Sequence, residues 1–461
     1  MVISMRYSGF LAIAIIALSF ISCSDKRLEE GGGSGDQTTA VLDTVGATLS
    51  PWQKGQMDIH FINTTAGECT FLIFPDGTQM LVDAAGARTR TQSGSVCNVG
   101  IRERWDPFKN GTSFNFGEFI AGYIDKCMAW TGNGKFDYAL LTHFHNDHFG
   151  GTTDMAASTN SSTYVQQSFP YLLDRFGADV LLDRGYPDYD YPFDMLDATK
   201  NTSNSGNCRN YVNAVKWHVA NKGMKAAMFK AGADDQIVLT KEPAKYPEFS
   251  VRNLAVCGEI WTGSGTSTRK TFPDKSEITG DGSLSSDNCP NENATSIAFK
   301  VSYGKFDLFM GGDLSYVGMS DHSWKDPETP IAKVCGEVEV MKGDHHGCHN
   351  TNGYNVSKGA IAMKYLKPQV WVLNTWADTQ PYAETITNAA TALPKLNIFV
   401  SNIVESRLSE LGVQIAGKFK GKNGHIVVRV FEGGDEYGVY MLSDYDGLMT
   451  VQTAVGPYKS N

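Results

Sequence analysis

The sequence predicts an α/β protein in which two β-sheets are covered on their outer faces by helices. Two observations lead there. Apolar, strand-like runs fall into one group in each half of the chain with helix-like stretches between them, a pattern that suits two sheets with helices outside. The residues with metal-binding chemistry sit at the ends of such runs. They are spread from Asp83 to His346, which argues for one catalytic domain with insertions rather than two domains. A chain of 461 residues, 41% hydrophobic and 20% charged, has ample material for a large core.

The elements follow in order. Residues 57–63 (MDIHFIN), 69–74 (CTFLIF) and 79–82 (QMLV) read as strands, with Pro75-Asp76-Gly77 as a tight turn between the last two. Residues 118–130 read as a helix and 136–142 (FDYALLT) as a buried strand. Stretches 164–182 and 211–227 read as helices on either side of a polar loop at 201–207. Residues 263–291, rich in Gly, Ser, Thr and Asp, read as an exposed insertion; further insertions are expected at 87–117 and 183–210. Strands are expected again at 295–303, 306–310, 338–341, 370–374 and 425–431.

Ahead of this pattern, Arg6 is followed by an apolar run at 10–21 (FLAIAIIALSFI). It is too short to span a bilayer comfortably and fits the core of a signal peptide. The run ends in Phe20-Ile21-Ser22-Cys23, which resembles the lipobox of bacterial lipoproteins, with Phe20 where an aliphatic residue is usual. The expected organisation is a lipoprotein signal peptide at 1–22, a flexible Gly-rich linker at 23–55, the main domain at 56–445 and a C-terminal tail at 446–461. Lipid on Cys23 would hold the mature protein on the outer leaflet of a bacterial membrane, periplasmic or at the cell surface. Nine cysteines, none in a CxxC pair, permit disulfides in such a compartment but argue against a thiolate zinc cluster. The net charge of −10, with pI near 5.5, argues against stable nucleic-acid binding. A phosphate-bearing substrate remains open, because bound divalent cations supply positive charge that a residue count misses.

The strongest chemical signal is Thr142-His143-Phe144-His145-Asn146-Asp147-His148-Phe149-Gly150-Gly151. A strand ending here delivers His143 and His145 to the same side, because side chains alternate with period two. Asp147 and His148 follow at the start of a helix. Imidazole and carboxylate together suit zinc, with manganese or iron as alternatives. Four such groups within six residues of a strand end have no ordinary structural explanation. Asp83 closes the run Met80-Leu81-Val82, Asp313 closes Phe309-Met310-Gly311-Gly312, and Lys342-Gly343-Asp344-His345-His346-Gly347 follows a further strand.

Together these motifs resemble the metallo-β-lactamase superfamily, and over residues 57–380 the branch containing the ComEC hydrolase domain and phosphorylcholine esterase. Gly77, Asp83, Asn293 and the HHG segment carry the branch resemblance. It implies a four-layer αββα sandwich with one or two divalent metals where the strand ends converge. Metal ligands would be His143, His145, Asp147, His148, Asp313 and His346, with Asp313 bridging and Asp83 orienting a histidine from behind. His345 would contact metal or substrate and donate a proton to the leaving oxygen, and Asp147 would help orient the nucleophile. Lys342 is a candidate for binding an anion.

One departure stands out. Many members place a further histidine between the second motif and the bridging aspartate; here only His218 lies between His148 and Asp313, on a helix-like stretch, and it reads as structural. The second metal is therefore less secure than the first. Cys348, His349 and His425 could reach the site, whereas His60 and His322 are assigned to structure. The implied activity is metal-assisted hydrolysis of a small-molecule or phosphodiester substrate by a metal-held hydroxide. The alternatives are an acyl hydrolase of lactonase or β-lactamase type, and an inactive ligand-binding surface lipoprotein.

Overall fold

The computed structural model describes residues 40–64, 67–86, 116–153, 155–201, 204–278, 289–315, 323–348, 361–444 and 447–461. The signal peptide, Cys23, Cys97, His322, His349 and nearly all of the 87–117 insertion lie outside the described residues.

The first half opens with β1 (Met57–Phe61), β2 (Cys69–Ile73) and β3 (Gln79–Ala84), an antiparallel meander. The α1 helix (Phe116–Thr131) leads to β4 (Phe136–Leu140), which runs parallel to β3. After the single turn α2 (Asn146–Phe149) come α3 (Ser168–Phe176), β5 (Ala178–Asp183), α4 (Ser205–Lys222) and β6 (Lys225–Met228), with β5 and β6 continuing the parallel run.

The second half begins with β7 (Phe249–Val256), β8 (Glu259–Trp261), β9 (Thr268–Lys270), β10 (Ala298–Tyr303) and β11 (Phe306–Gly311), which pair with one another antiparallel. It then turns parallel: α5 (Glu328–Cys335), β12 (Val340–Lys342), α6 (Ile361–Leu366), β13 (Val370–Leu373), α7 (Ala383–Ala392), β14 (Asn397–Val400), α8 (Glu405–Ala416) and β15 (Phe419–Lys422). Finally β16 (His425–Val430), β17 (Glu436–Leu442) and β18 (Val451–Lys459) return to the first sheet, β16 pairing with β1.

Among the described residues this makes two nine-stranded sheets, ordered β18-β17-β16-β1-β2-β3-β4-β5-β6 and β15-β14-β13-β12-β11-β10-β7-β8-β9. Side-chain parity builds four layers from them. Leu72, Met80 and Leu140 of the first sheet meet Leu308, Val340 and Val372 of the second in one core. Their neighbours Phe71, Leu81 and Ala139 point the other way, onto Ile120, Leu172 and Val215 of α1, α3 and α4. Phe309, Met341 and Trp371 pack outward onto Ile331, Met363 and Ile386 of α5, α6 and α7. Strands covered on both faces read as unbroken apolar runs, which is why they stood out in the sequence. The expected αββα sandwich is the architecture observed.

Boundaries differ at instructive places. Each of the stretches 164–182 and 211–227 holds one helix and then one strand. The helices stop at Gly177 (φ 70°) and Gly223 (φ 69°), a left-handed geometry that glycine adopts without strain, and the chain enters β5 and β6. Residues 451–459, expected within a tail, form β18, the edge strand of the first sheet. Part of the expected linker is packed: Leu49 and Trp52 are buried, and Thr48 bridges Thr450. In the 263–291 insertion β9 is exposed as expected, but Cys289, Pro290 and Asn291 are buried.

Because β3–β6 and β11–β15 are two parallel runs, their carboxyl ends fall together along one edge of each sheet. Loops leaving such ends are free to converge on a ligand, since the strands themselves are spent on hydrogen bonding. The edges are stitched directly: Ile297 donates its backbone N–H to Thr142 O (3.1 Å), and Gly312 to Ile297 O (3.1 Å).

Candidate metal centre

Beyond β4, Thr142 to Phe149 bring four candidate ligands into a short space. His143 Nε2 lies 3.1 Å from His145 Nδ1. Asp313, one residue pair beyond β11, faces both halves of the cluster: its Oδ1 is 3.1 Å from His148 Nε2, and its Oδ2 is 3.9 Å from His143 Nε2 and 3.4 Å from His346 Nε2. His346 Nε2 is also 3.0 Å from Asp147 Oδ2. Two ligand groups result, sharing Asp313: His143 and His145 in one, Asp147, His148 and His346 in the other.

The glycines here are needed for close approach. A Cβ on Gly312 would come 2.8 Å from Ser296 Oγ, the hydroxyl that accepts the N–H of Asp313 (2.9 Å). His345 and His346 both adopt left-handed backbone angles (φ 45° and 56°), unusual for a side chain with a Cβ and characteristic of a strained functional turn. That turn keeps two adjacent imidazoles on one side. His346 is buried against the ligands, while His345 stays at the rim, its side chain 22% exposed and its Nε2 4.0 Å from Asp313 Oδ2. The Asn293 amide nitrogen, 3.2 Å from His345 Nε2, orients that ring.

Behind the ligands, Asp83 accepts from Thr142 N and Thr142 Oγ1 (both 2.8 Å) and contacts His148 Nδ1 at 2.8 Å. His346 Nδ1 is fixed by Asn374 O at 2.9 Å. In both imidazoles the inner nitrogen carries the hydrogen bond and Nε2 is turned into the cluster, the orientation a metal-binding histidine requires.

The electrostatics are those of a cation site. Burial would push His148 and His346 down, but Asp313 and the other neighbouring carboxylates hold both well above the ordinary histidine range. Burial would raise Asp147 and Asp313, but these two imidazoles hold both well below the usual carboxylate range. His143 differs: burial, reinforced by His148, pushes it well down, so it presents a neutral imidazole.

The residues fit divalent metal. Asp313 Oδ1, Asp313 Oδ2 and His148 Nε2 are buried without a hydrogen-bond partner of adequate geometry, an arrangement that costs on the order of 1–3 kcal/mol per group unless something else satisfies it. Donor atoms on a tetrahedral ion at about 2.0–2.2 Å sit about 3.3–3.6 Å apart, and the separations of 3.0–3.9 Å bracket that spacing. Among the described residues, five buried or half-buried carboxylates (Glu68, Asp83, Asp147, Asp313, Asp344) face one ammonium, Lys342, an excess that two divalent cations would neutralise.

Other candidates have partners of their own, Cys348 among them although it lies near enough to His346, Asp313 and Asp147 to feel their charges. Lys342 does not face a substrate: it is buried, paired with Glu68 and donating to Gly311 O and Gly312 O (both 2.9 Å). His218 is buried on Asp174 (3.0 Å). His425 holds the N–H of Asn63 and packs on Tyr123, away from the ligand groups. Cys348 Sγ accepts from Gln380, and His60 is buried between Asp58 and Tyr123. No disulfide occurs among the described cysteines. Glu68 is the residue that sequence reasoning missed. Its one signal is an acidic side chain in Gly67-Glu68-Cys69, directly before an apolar strand.

A four-layer αββα sandwich with histidines and aspartates gathered at one sheet edge has the architecture of the metallo-β-lactamase fold. No family model matches the chain, and no curated protein matches it. Among solved structures it is similar to an isothiocyanate hydrolase from Delia radicum gut bacteria, with 12% identity over 79% of this chain and 95% of that one (TM-score 0.32). It is also similar to a diphosphatase from the PhnP family, with 11% identity over 69% of this chain and 86% of that one (TM-score 0.28). At these identities and TM-scores neither likeness bears on what the chain acts on.

Proposed function

We propose that the chain is a metal-dependent hydrolase, exported and lipid-anchored, that acts on phosphodiester bonds. The observation that carries the hydrolase reading is the convergence of His143, His145, Asp147, His148, Asp313 and His346, with Asp313 shared between two groups. Divalent metal held there, zinc by preference, would supply an acidified water with a pKa of roughly 7 and positive charge for the developing anion.

The chain's own residues do the rest. Asp147, whose side chain is 26% exposed, is the ligand-group carboxylate placed to accept a hydrogen bond from the attacking water. Asp313, almost fully buried, keeps the two ligand groups in register. His345 at the rim, its ring steadied by the Asn293 amide, is the imidazole placed to donate a proton to the leaving oxygen. The preference for phosphodiesters over acyl substrates is supported by the resemblance of the Lys342–Gly347 segment to the HHG branch. Export is supported by the apolar run and Ser22-Cys23 alone. A ligand-binding relic is disfavoured, because such a chain has no reason to keep every ligand.

Metal analysis of the purified protein tests the class: near-stoichiometric transition metal is expected, and its absence would sink the hydrolase reading. A panel of bis-nitrophenyl phosphate, phosphorylcholine esters and lactones tests the substrate. Turnover of lactones alone would overturn the phosphodiester preference in favour of the acyl hydrolase. Labelling with a lipid precursor, lost in Cys23→Ala, tests the anchor.

A further inference from the structure

The segments that carry the ligands are separate loops, and something must hold them in register. The described structure shows one buried side chain doing so from behind. Glu68, 3% exposed, contacts His346 Nδ1 through Oε1 at 3.3 Å and Lys342 Nζ through Oε2 at 2.7 Å. Lys342 in turn donates to the carbonyl oxygens of Gly311 and Gly312, the two residues preceding Asp313. The backbone of Glu68 makes two more ties: its N–H donates to Asp147 O (2.8 Å), and its carbonyl accepts from Ala85 N (2.8 Å), two residues past Asp83. The turn is tight enough that a Cβ on Gly67 would lie 2.1 Å from Asp147 O.

We propose that Glu68 is a positioning residue for metal, acting through His346 directly and through Lys342 on Asp313. The proposal rests on the metal-site reading above. Its physical basis is twofold. Glu68 sets its negative charge 3.3 Å from His346 Nδ1, whose hydrogen bond goes to Asn374 O, and so makes Nε2 a better donor to a cation. The Glu68–Lys342 pair is buried, so each charge is satisfied only while the other is in place, and the pair locks the Gly311-Gly312 turn that presents the Asp313 oxygens. Asp83 is hydrogen-bonded to His148 Nδ1 at 2.8 Å and Glu68 lies 3.3 Å from His346 Nδ1, so each of these two imidazoles has a buried carboxylate beside it.

The test is the affinity for Zn²⁺, measured by competition with a chromophoric chelator on the full chain, with kcat and KM recorded beside it. Glu68→Gln is expected to weaken the ion held by Asp147, His148 and His346 by about 10–100-fold. It leaves Lys342 buried without its carboxylate, and a loss of stability is expected with it. The double variant Glu68→Gln/Lys342→Met removes both charges, and is expected to fold while still binding that ion more weakly than the parent. Glu68→Asp, with the charge kept and the reach shortened, is expected to fall between. A merely structural Glu68 would lower Tm and leave zinc affinity at the parental value in the double variant, and that result overturns the proposal. The outcomes separate cleanly: a parent that binds no zinc removes the metal-site reading and this inference together, whereas a parent that binds it with unchanged affinity in the double variant removes this inference alone.

Discussion

Two buried charged clusters of this protein look alike in composition and differ in completeness. On β1 and β16, Asp58 and Arg429 are register partners. The guanidinium gives Nε and Nη2 to the two oxygens of Asp58 (2.8 and 2.7 Å) and its remaining reach to Ser50 (2.9 Å). Asp43 lies 3.6 Å from the same guanidinium, and His60 lies alongside, its Nδ1 bonded to Tyr123. At the carboxyl ends of β3, β4, β11 and β12, by contrast, carboxylates outnumber the one ammonium among the described residues, and buried atoms of Asp313 and His148 lack a hydrogen bond of adequate geometry. The first cluster is closed in that the chain itself supplies the counter-charge for the buried carboxylate. The second is built for a cation that the chain does not itself provide.

The largest effect should follow from Asp313→Asn. Its carboxylate alone belongs to both ligand groups, so the substitution is expected to bring hydrolysis to background and zinc content below that of the parent, measured by elemental analysis. Retention of full zinc content with full activity would break the contrast, because the open cluster would then be as self-sufficient as the closed one.

How much of this contrast was legible in the sequence depends on direction. The site residues were legible because each follows an apolar run: Asp83 near the end of β3, His143 to His148 after β4, Asp313 after β11, His345 and His346 after β12. A strand covered on both faces announces itself, and a polar residue at its carboxyl end has few structural uses. Lys342 was misread because a sequence reveals a lysine's charge but not where its chain turns, and here it turns inward to Glu68. Glu68 was invisible because its partners lie hundreds of residues away. The β5 and β6 strands were hidden inside helical stretches, since Val180, Leu181 and Leu182 continue an apolar pattern and only Gly177 marks the break. The positive φ of His345 and His346, which no motif announces, turns both rings to one side and within 4.0 Å of Asp313.

The next effect in size concerns the closed cluster. Arg429→Met leaves Asp58 buried without its counter-charge, which is expected to cost on the order of 3–5 kcal/mol. Zinc content should stay at the parental value, because none of Arg429's hydrogen bonds or ion pairs involves a candidate ligand. Urea denaturation beside elemental analysis reads both quantities. Loss of metal in this variant would mean that the two clusters are coupled through the first sheet and do not behave as separate units.

The smallest effect separates charge pairing from simple packing at Asp58. Burial would raise this carboxyl, but Arg429 overcomes it and lowers the pKa from 3.8 to about 2. A group with a depressed native pKa contributes stability that is present above its unfolded value and is lost as pH falls through the native one. The unfolded chain takes up the proton first, so acid favours unfolding. The contribution amounts to about 2 kcal/mol, lost between roughly pH 4 and pH 2. In Arg429→Met the sign reverses, since an unpaired buried carboxyl is easier to keep protonated than ionised. The stability gap between parent and variant should therefore be widest near neutral pH and shrink by at least about 2 kcal/mol in acid. Chelator-treated samples of both proteins, unfolded in urea at each pH, keep metal release out of the comparison. A gap that stays constant from neutral pH into acid would show that Arg429 stabilises β1 and β16 by packing its side chain, and that the closed cluster is not held by its charges.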